Sequence, residues 1–156
     1  MSIERVRAYF AEEGIADRIQ EFDVSSATVE LAAQALGCAP ERIAKTLSFQ
    51  LPDRCILIVA AGDAKVDNAK FKTAYHTKAK MIPGGEVEEK VGHAVGGVCP
   101  FAVNDGVPVY LDESLKRFET VFPACGSSNS AIELTILELE RYSGCAGWVD
   151  VCKSWK

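Results

Sequence analysis

The chain has 156 residues, a length typical of one domain, with 48% hydrophobic and 25% charged residues. This composition supports a buried core and excludes a disordered chain, and no apolar run approaches the roughly 20 residues of a membrane helix. The net charge of −5 argues weakly against a nucleic-acid partner. Because the charged N-terminus does not resemble a secretion signal, we expect a single cytoplasmic domain over residues 1–156.

Apolar residues at helical spacing predict a helix over residues 3–10, followed by Gly14. A second helix is predicted over residues 29–36, between Thr28 as its N-cap and Gly37. After residue 37 the hydrophobic pattern changes from helical spacing to patterns typical of strands. Residues 46–51 alternate in part, and residues 55–61 are a continuous β-branched apolar run typical of a central strand. These two segments predict a hairpin.

The second half mixes short helices with short strands. Helices are predicted over residues 68–75, 86–91, 112–117 and 136–142. Strands are predicted over residues 78–82, 98–103, 107–111, 119–123, 132–134 and 147–152, with a hairpin turn at residues 104–106. Because there is no regular βαβ rhythm, we expect an α+β domain with a mixed, mostly antiparallel, curved and barrel-like sheet surrounded by short helices.

The cysteines are spread along the chain without a C-x-x-C pair, and the two histidines are not clustered with them. A structural zinc site needs about four closely spaced ligands. We therefore expect reduced, mostly buried thiols, with no metal and no cofactor.

Lys45 and Thr46 stand where the first predicted strand begins. A lysine at the start of a core strand either extends to solvent or lies at a cleft. In a cleft it can hold a phosphate, a carboxylate or a developing oxyanion. The sequence alone leaves both alternatives open.

Two segments contain glycine beside polar or small residues. In Gly96-Gly97-Val98-Cys99-Pro100, the glycines permit close backbone approach to a ligand, or form a tight turn. Gly126 and Ser127 begin a polar segment after a predicted strand, which can line a pocket or be an ordinary loop.

A local basic window lies between residues 65 and 80, where five lysines face a single acid, Asp67. The lysines are Lys65, Lys70, Lys72, Lys78 and Lys80. Such a window is compatible with phosphate contacts, and equally with a solvated lysine-rich face.

Cys99 is the one thiol placed within a candidate site. It could act as a nucleophile only if His93 lay beside it as a base. His76 and His93 are otherwise expected to be surface or structurally satisfied histidines.

In their order and spacing, these segments resemble the YbaK family from about residue 29 to residue 151. That family comprises free-standing aminoacyl-tRNA deacylases and the editing domain inserted in some prolyl-tRNA synthetases. The matching segments are Ala44-Lys45-Thr46-Leu47, Gly62-Asp63-Ala64-Lys65-Val66-Asp67, Val95-Gly96-Gly97-Val98-Cys99-Pro100-Phe101, Tyr110-Leu111-Asp112, Ala124-Cys125-Gly126-Ser127, Ile132-Glu133-Leu134 and Gly147-Trp148-Val149-Asp150-Val151.

The resemblance implies a mixed domain around a curved, mostly antiparallel sheet. It also implies a catalytic site at Lys45, Gly96 and Gly97, with Lys45 as the hallmark lysine. The aminoacyl pocket would include Thr46, Val98, Cys99, Pro100, Gly126 and Ser127. The segment at Gly126 is less rich in glycine than is usual in the family, which bears on the shape of the pocket.

The activity implied by the resemblance is hydrolysis of the ester of a mischarged tRNA, with tRNA-Pro acceptors the first to test. The implied partners are the 3′ aminoacyl end of tRNA, contacted by the lysine window, and in addition an aminoacyl-tRNA synthetase. Two alternatives stay open: a module that binds tRNA or a synthetase without hydrolysis, and a Cys99-dependent thiol enzyme. The amino acid and the oligomeric state are left open as well.

Overall fold

The computed structural model describes residues 2–155, and its helices are short. Five α-helices are present in this range: α1 (Ser2–Glu12), α2 (Val29–Leu36), α3 (Asn68–Tyr75), α4 (Gly84–Val91) and α5 (Ile136–Ser143). Three 3₁₀ helices cover Ala16–Arg18, Pro40–Arg42 and Glu113–Arg117. Since the longest helix has 11 residues, no helix within residues 2–155 could span a bilayer.

Ten strands form one six-stranded sheet and two short ladders. They are β1 (Gln20–Glu21), β2 (Ile43–Gln50), β3 (Cys55–Ala61), β4 (Lys65–Val66), β5 (Val109–Asp112), β6 (Thr120–Pro123), β7 (Ser130–Ala131), β8 (Leu134–Thr135), β9 (Gly147–Val149) and β10 (Cys152–Lys153). The main sheet has the order β8-β6-β2-β3-β5-β9, while β1 pairs with β7 and β4 with β10.

The predicted α+β class with a mixed sheet is confirmed. Four strand pairs are antiparallel: β1–β7, β4–β10, β2–β3 and β6–β8. Three pairs are parallel, namely β2–β6, β3–β5 and β5–β9. All three parallel pairs lie in the main sheet, so this sheet is less antiparallel than the sequence indicated.

The centre of the sheet is the hairpin of β2 and β3, as predicted. Seven residue pairs align along it, from Ala44 opposite Ala61 to Gln50 opposite Cys55. The residues of β3 after Cys55 are buried, because the β-branched run packs against helices and loops on both faces of the sheet. The hairpin therefore anchors the core.

Short polar motifs set the helix ends. Thr28 accepts a hydrogen bond from the backbone of Leu31, and Asp67 accepts two from the start of α3. Thr135 and Glu138 form a reciprocal capping box at the start of α5. These contacts satisfy amide donors that helices of two turns leave unpaired.

One predicted hairpin is wrong. Residues 98–103 are irregular rather than a strand, and β5 pairs in parallel with β3 and β9. A turn does occur, with Gly106 at φ +85°, but Ala102 also has a positive φ of 52° and interrupts any extended segment before it. The predicted turn at residues 104–106 is therefore confirmed, whereas the strand predicted before it is wrong.

Other predicted strands are shorter than expected. Residues 78–82 contribute only a single bridge, between Met81 and Phe49. The last predicted strand is divided into β9 and β10, which belong to different sheets. Between them, Val151 donates its amide to the carboxylate of Asp112 instead of continuing one ladder.

Asp112 is a buried carboxylate that joins three segments. Its Oδ2 accepts from the Ser114 amide at 3.0 Å and its Oδ1 from the Val151 amide at 2.9 Å. Buried amides without an acceptor are costly, so the C-terminal segment depends on this side chain.

We expect Asp112→Ala to lower the free energy of unfolding by about 2–5 kcal/mol, because it leaves two buried amide donors unpaired. Urea denaturation followed by circular dichroism measures this change. The matched control is Asp105→Ala at the exposed turn, which should stay within about 0.5 kcal/mol of the parent. Equal midpoints for the two variants would contradict the structural role of Asp112.

Candidate functional site

An open cavity of about 460 Å³ lies beside the outer edge of β2. Its walls are mainly aliphatic, and its polar lining comes from short side chains and one lysine. The lining residues are Ser26, Ala27, Thr28, Val29, Ile43, Ala44, Lys45, Thr46, Leu47, Ser48, Met81, Ile82, Gly84, Val87, Val95, Gly96, Val98 and Ala124. A cavity of this kind suits a small ligand with a few fixed polar groups.

Lys45 lies at this cavity and is half-buried. Its ammonium donates to the backbone oxygens of Ala64 and, at 3.5 Å, Gly62. Burial lowers the pKa of Lys45, because the charged form loses solvation. An ammonium has three donors, so one remains for a ligand after these two carbonyls are bound.

The turn that holds Lys45 is tightly packed. A Cβ atom on Gly62 would lie 2.1 Å from the backbone oxygen of Pro40, so only glycine fits there. Next to it, Asp63 accepts two hydrogen bonds from the guanidinium of Arg117, at 2.6 and 3.0 Å. A bidentate pair of this kind fixes orientation as well as position.

Thr46 lines the same cavity, and its hydroxyl is buried without a hydrogen-bond partner. The strand edge beside it is open. β6 accompanies β2 only at Ile43 and Ala44, and Met81 bridges only to Phe49. The cavity occupies the gap between these two contacts.

The residues of the glycine loop, 96–100, contribute unequally to the cavity lining. Gly96, with φ +89°, and Val98 line the cavity. Gly97 does not, and its amide already donates to the oxygen of Ala94 at 3.0 Å. A Cβ on Gly97 would lie 2.8 Å from the carbonyl of Gly126, so Gly97 serves close packing between two loops.

The remaining predicted pocket residues lie behind the cavity wall. Cys99, Pro100 and Gly126 are buried and are not among its lining residues. The hydroxyl of Ser127 lies within hydrogen-bond distance of Ser130 and Asn129, at 2.7 and 2.9 Å. Ala124, which precedes this segment, reaches the cavity instead.

His93 and Cys99 are close together but unsuited to thiol catalysis. The Nε2 of His93 lies 2.7 Å from the backbone oxygen of Phe101 and must donate to it. This same nitrogen is the one 3.5 Å from the Cys99 sulfur, so it cannot take the thiol proton. Burial raises the pKa of Cys99 to about 12 and lowers the pKa of His93.

The chain is similar to known proteins over the region that contains the cavity. Residues 23–142 match the family model described as "Aminoacyl-tRNA editing domain". The chain belongs to the aminoacyl-tRNA editing domain family. The matched range includes every residue that lines the cavity.

Three similar proteins differ in how much of their own length this chain covers. The uncharacterized protein YwhH of Bacillus subtilis is 54% identical, with full coverage of both chains. The crystal structure of a proposed trans-editing enzyme for prolyl-tRNA synthetase superposes with a TM-score of 0.87 at 29% identity, over 97% of both chains. Proline–tRNA ligase of a Geobacillus species is 25% identical over 73% of this chain, which spans only 20% of that ligase.

One wall of the editing-domain cavity was missed by sequence reasoning. Residues 26–29, at the start of α2, line it together with Met81, Ile82 and Val87. The loop is held by Ser26, whose amide donates to the oxygen of Ser128 at 2.6 Å. No motif marks this loop, and its capping residue Thr28 was read only as a helix signal.

The five predicted lysines do not form one continuous contact set. Lys65, Lys72, Lys78 and Lys80 are exposed, whereas Lys70 pairs with Asp150 at 3.0 Å. Lys153, which lies opposite Lys65 in the β4–β10 ladder, was not predicted. Lys65 directly follows Ala64, whose backbone oxygen accepts from Lys45, so this end of the window lies near Lys45.

We expect Cys99 to resist alkylation by iodoacetamide in the native protein at pH 7–8. It is fully buried and, with a pKa of about 12, stays protonated at this pH. Peptide mass spectrometry before and after unfolding in urea measures this, and the unfolded sample serves as the labelling control. Rapid native labelling of Cys99 would return the thiol hypothesis to consideration.

Proposed function

We propose that this editing domain is a free-standing trans-editing deacylase that hydrolyses the ester of a mischarged tRNA. The observation that carries the proposal is Lys45, a half-buried ammonium with an unused donor at an open cavity. The full-length similarity to a proposed trans-editing enzyme for prolyl-tRNA synthetase supports it, and makes tRNA-Pro acceptors the first candidates.

Hydrolysis of this ester needs little acceleration from the protein. An aminoacyl ester is already activated, so positioning the ester and stabilising its developing oxyanion supply most of the needed acceleration. Lys45 would contact a phosphate or carbonyl oxygen of the substrate with its third donor. A hydroxyl of the substrate's ribose would relay the proton to or from water.

The cavity would select the amino acid by size and polarity. Val29, Ile82, Val87 and Val98 give it aliphatic walls, and none of its lining residues is acidic. An uncharged side chain suits such a surface, and a side chain too large for the cavity would be excluded, which is how a second sieve edits. The partner in this proposal is the 3′ end of tRNA, and its location is the cytoplasm, where charged tRNA is used.

The second candidate function is that of a module that binds tRNA or a synthetase without hydrolysis. The two differ in one measurement, the release of amino acid from charged tRNA with protein present at far below stoichiometric amounts. A panel of mischarged tRNAs, with tRNA-Pro acceptors first, makes this test. Multiple turnovers support the deacylase, and binding without release supports the module.

We expect Lys45→Ala to lower kcat/KM for deacylation by about 10²–10³-fold, the usual effect of removing one electrostatic donor. The fold should persist, since Lys45 is only half-buried; circular dichroism checks this. Lys116→Ala is the matched control, because that lysine pairs with Glu113 at the surface and is not a lining residue of the cavity. Lys45→Ala activity within about twofold of the parent would remove Lys45 from the mechanism.

The exposed lysines generate a separate expectation about salt. Each lysine that neutralises a phosphate contributes about 0.7–0.9 to the slope of log K against log salt. Reversing Lys65 and Lys72 to glutamate should therefore raise KM for tRNA and flatten its salt dependence. The control reverses Lys116, whose charge is already paired. An unchanged slope in the double variant would show that these lysines form only a solvated face.

A further inference from the structure

The outer edge of β2 is unpaired where it faces the cavity. Its neighbour β6 ends opposite Ala44, and the bridge at Met81 begins opposite Phe49. Between these points, within residues 2–155, no strand runs beside β2 on this side. An open edge presents backbone donors and acceptors to whatever lies beside it.

Hydrogen bonds further along the strand show which residues point outwards. The oxygen of Ser48 accepts from Ile82 at 3.1 Å, and the amide of Gln50 donates to Lys80 at 2.8 Å. These two residues therefore direct their backbone groups away from β3. Because this direction alternates along a strand, Thr46 directs its N–H and C=O outwards as well, into the cavity.

Thr46 thus presents two backbone groups, its N–H and its C=O, to the cavity. Its side-chain hydroxyl is buried without a partner. Within the described part of the chain, no hydrogen bond to its outward N–H or C=O accompanies those at Ser48 and Gln50. Thr46 is only partly buried and lines the open cavity, so its two backbone groups are accessible to a ligand that enters it.

We propose that the edge at Thr46 binds the aminoacyl group of the substrate as a one-residue antiparallel strand. The α-ammonium donates to the Thr46 carbonyl, and the ester carbonyl oxygen accepts from the Thr46 amide. This assignment rests on the proposed deacylase function and names its recognition element. The ligand class is an α-aminoacyl ester with a free amine.

The chemistry of an aminoacyl group matches this edge. It carries a donor and an acceptor on either side of one Cα, as a strand residue does, so it can exchange both bonds with Thr46. The Thr46 amide then stabilises the oxyanion of the tetrahedral intermediate. It takes the role that the Gly97 amide, already bound to Ala94, does not fill.

The direction of the strand determines what else fits. An antiparallel ligand residue opposite Thr46 has its amino side towards Ser48 and its ester side towards Lys45. The amino side is closed, because Ile82 already occupies the edge at Ser48. An acyl group on the amine would collide there, so the site distinguishes aminoacyl-tRNA from N-acylated or peptidyl-tRNA.

A graded set of esters tests the amine contact on the native protein. The same tRNA carries alanine, lactate or N-acetylalanine, which in turn keep the ammonium, replace it by a hydroxyl, or block it. Lactyl ester should lose about ten- to hundred-fold in kcat/KM, the value of a charged hydrogen bond, and N-acetyl ester should lose more. Hydrolysis of all three within twofold of one another would overturn the proposal.

Thr46→Pro tests the amide contact, because proline removes the N–H of residue 46, which makes no bond to β3. Thr46→Val is its matched control, since it removes only the hydroxyl and keeps the backbone groups. We expect a loss of about 10²–10³-fold for Thr46→Pro and a much smaller loss for Thr46→Val. Equal activities of two folded variants would contradict the assignment.

A binding measurement covers the case in which Thr46→Pro does not fold. The ¹⁵N-labelled native protein is titrated with 3′-alanylamino-3′-deoxyadenosine, which cannot be hydrolysed, and with its N-acetyl form. The Thr46 amide resonance should shift with the first compound and not with the second. No shift overturns the proposal; a shift in a protein that releases no amino acid from any charged tRNA keeps the site and overturns the deacylase function instead.

Discussion

The unequal pairing of β2 is the constraint on which the site depends. One edge is paired with β3 from Ala44 to Gln50, which holds the strand in the core. The other edge is paired only at its two ends, by β6 and by the bridge at Met81. A strand held so firmly on one side can leave backbone groups unpaired on the other without fraying, because its register is already determined. The cavity is the space that this missing partner leaves.

Lys45 shows how the fold accommodates a charge at that edge. Its burial opposes the charged form, and the oxygens of Gly62 and Ala64 offset this by accepting hydrogen bonds from the ammonium. These oxygens are in place because Gly62 packs directly against the backbone before β2, and because Arg117 holds Asp63 in between. The lysine is therefore held in one position at the cavity, and in the proposed function a substrate oxygen would meet a donor that does not have to move.

The sequence predicted those features that local chemistry determines. The hairpin, the cap at Thr28, and Lys45 at the start of a strand follow from patterns within a few residues. The parallel placement of β5 does not, because it depends on which edge of β3 is free after β2 has paired. The roles of Gly96 and Gly97 could not be separated either, since both are glycines, and only the three-dimensional contact with Gly126 identifies the second as a packing residue.

The part of the site that sequence reasoning could not find is made of backbone. Every non-proline residue type carries an N–H and a C=O, so no sequence motif marks those of Thr46. Only the gap between β6 and Met81 shows that they face the cavity. In the proposed mechanism such a site would need no catalytic triad, because the ester is reactive and the strand edge would orient both ends of the aminoacyl group. It would also leave selection among amino acids to the surrounding side chains, which could change without disturbing the contacts at the reacting carbonyl. In the proposed mechanism the chemistry would depend on the backbone of one strand, and the specificity on the cavity walls.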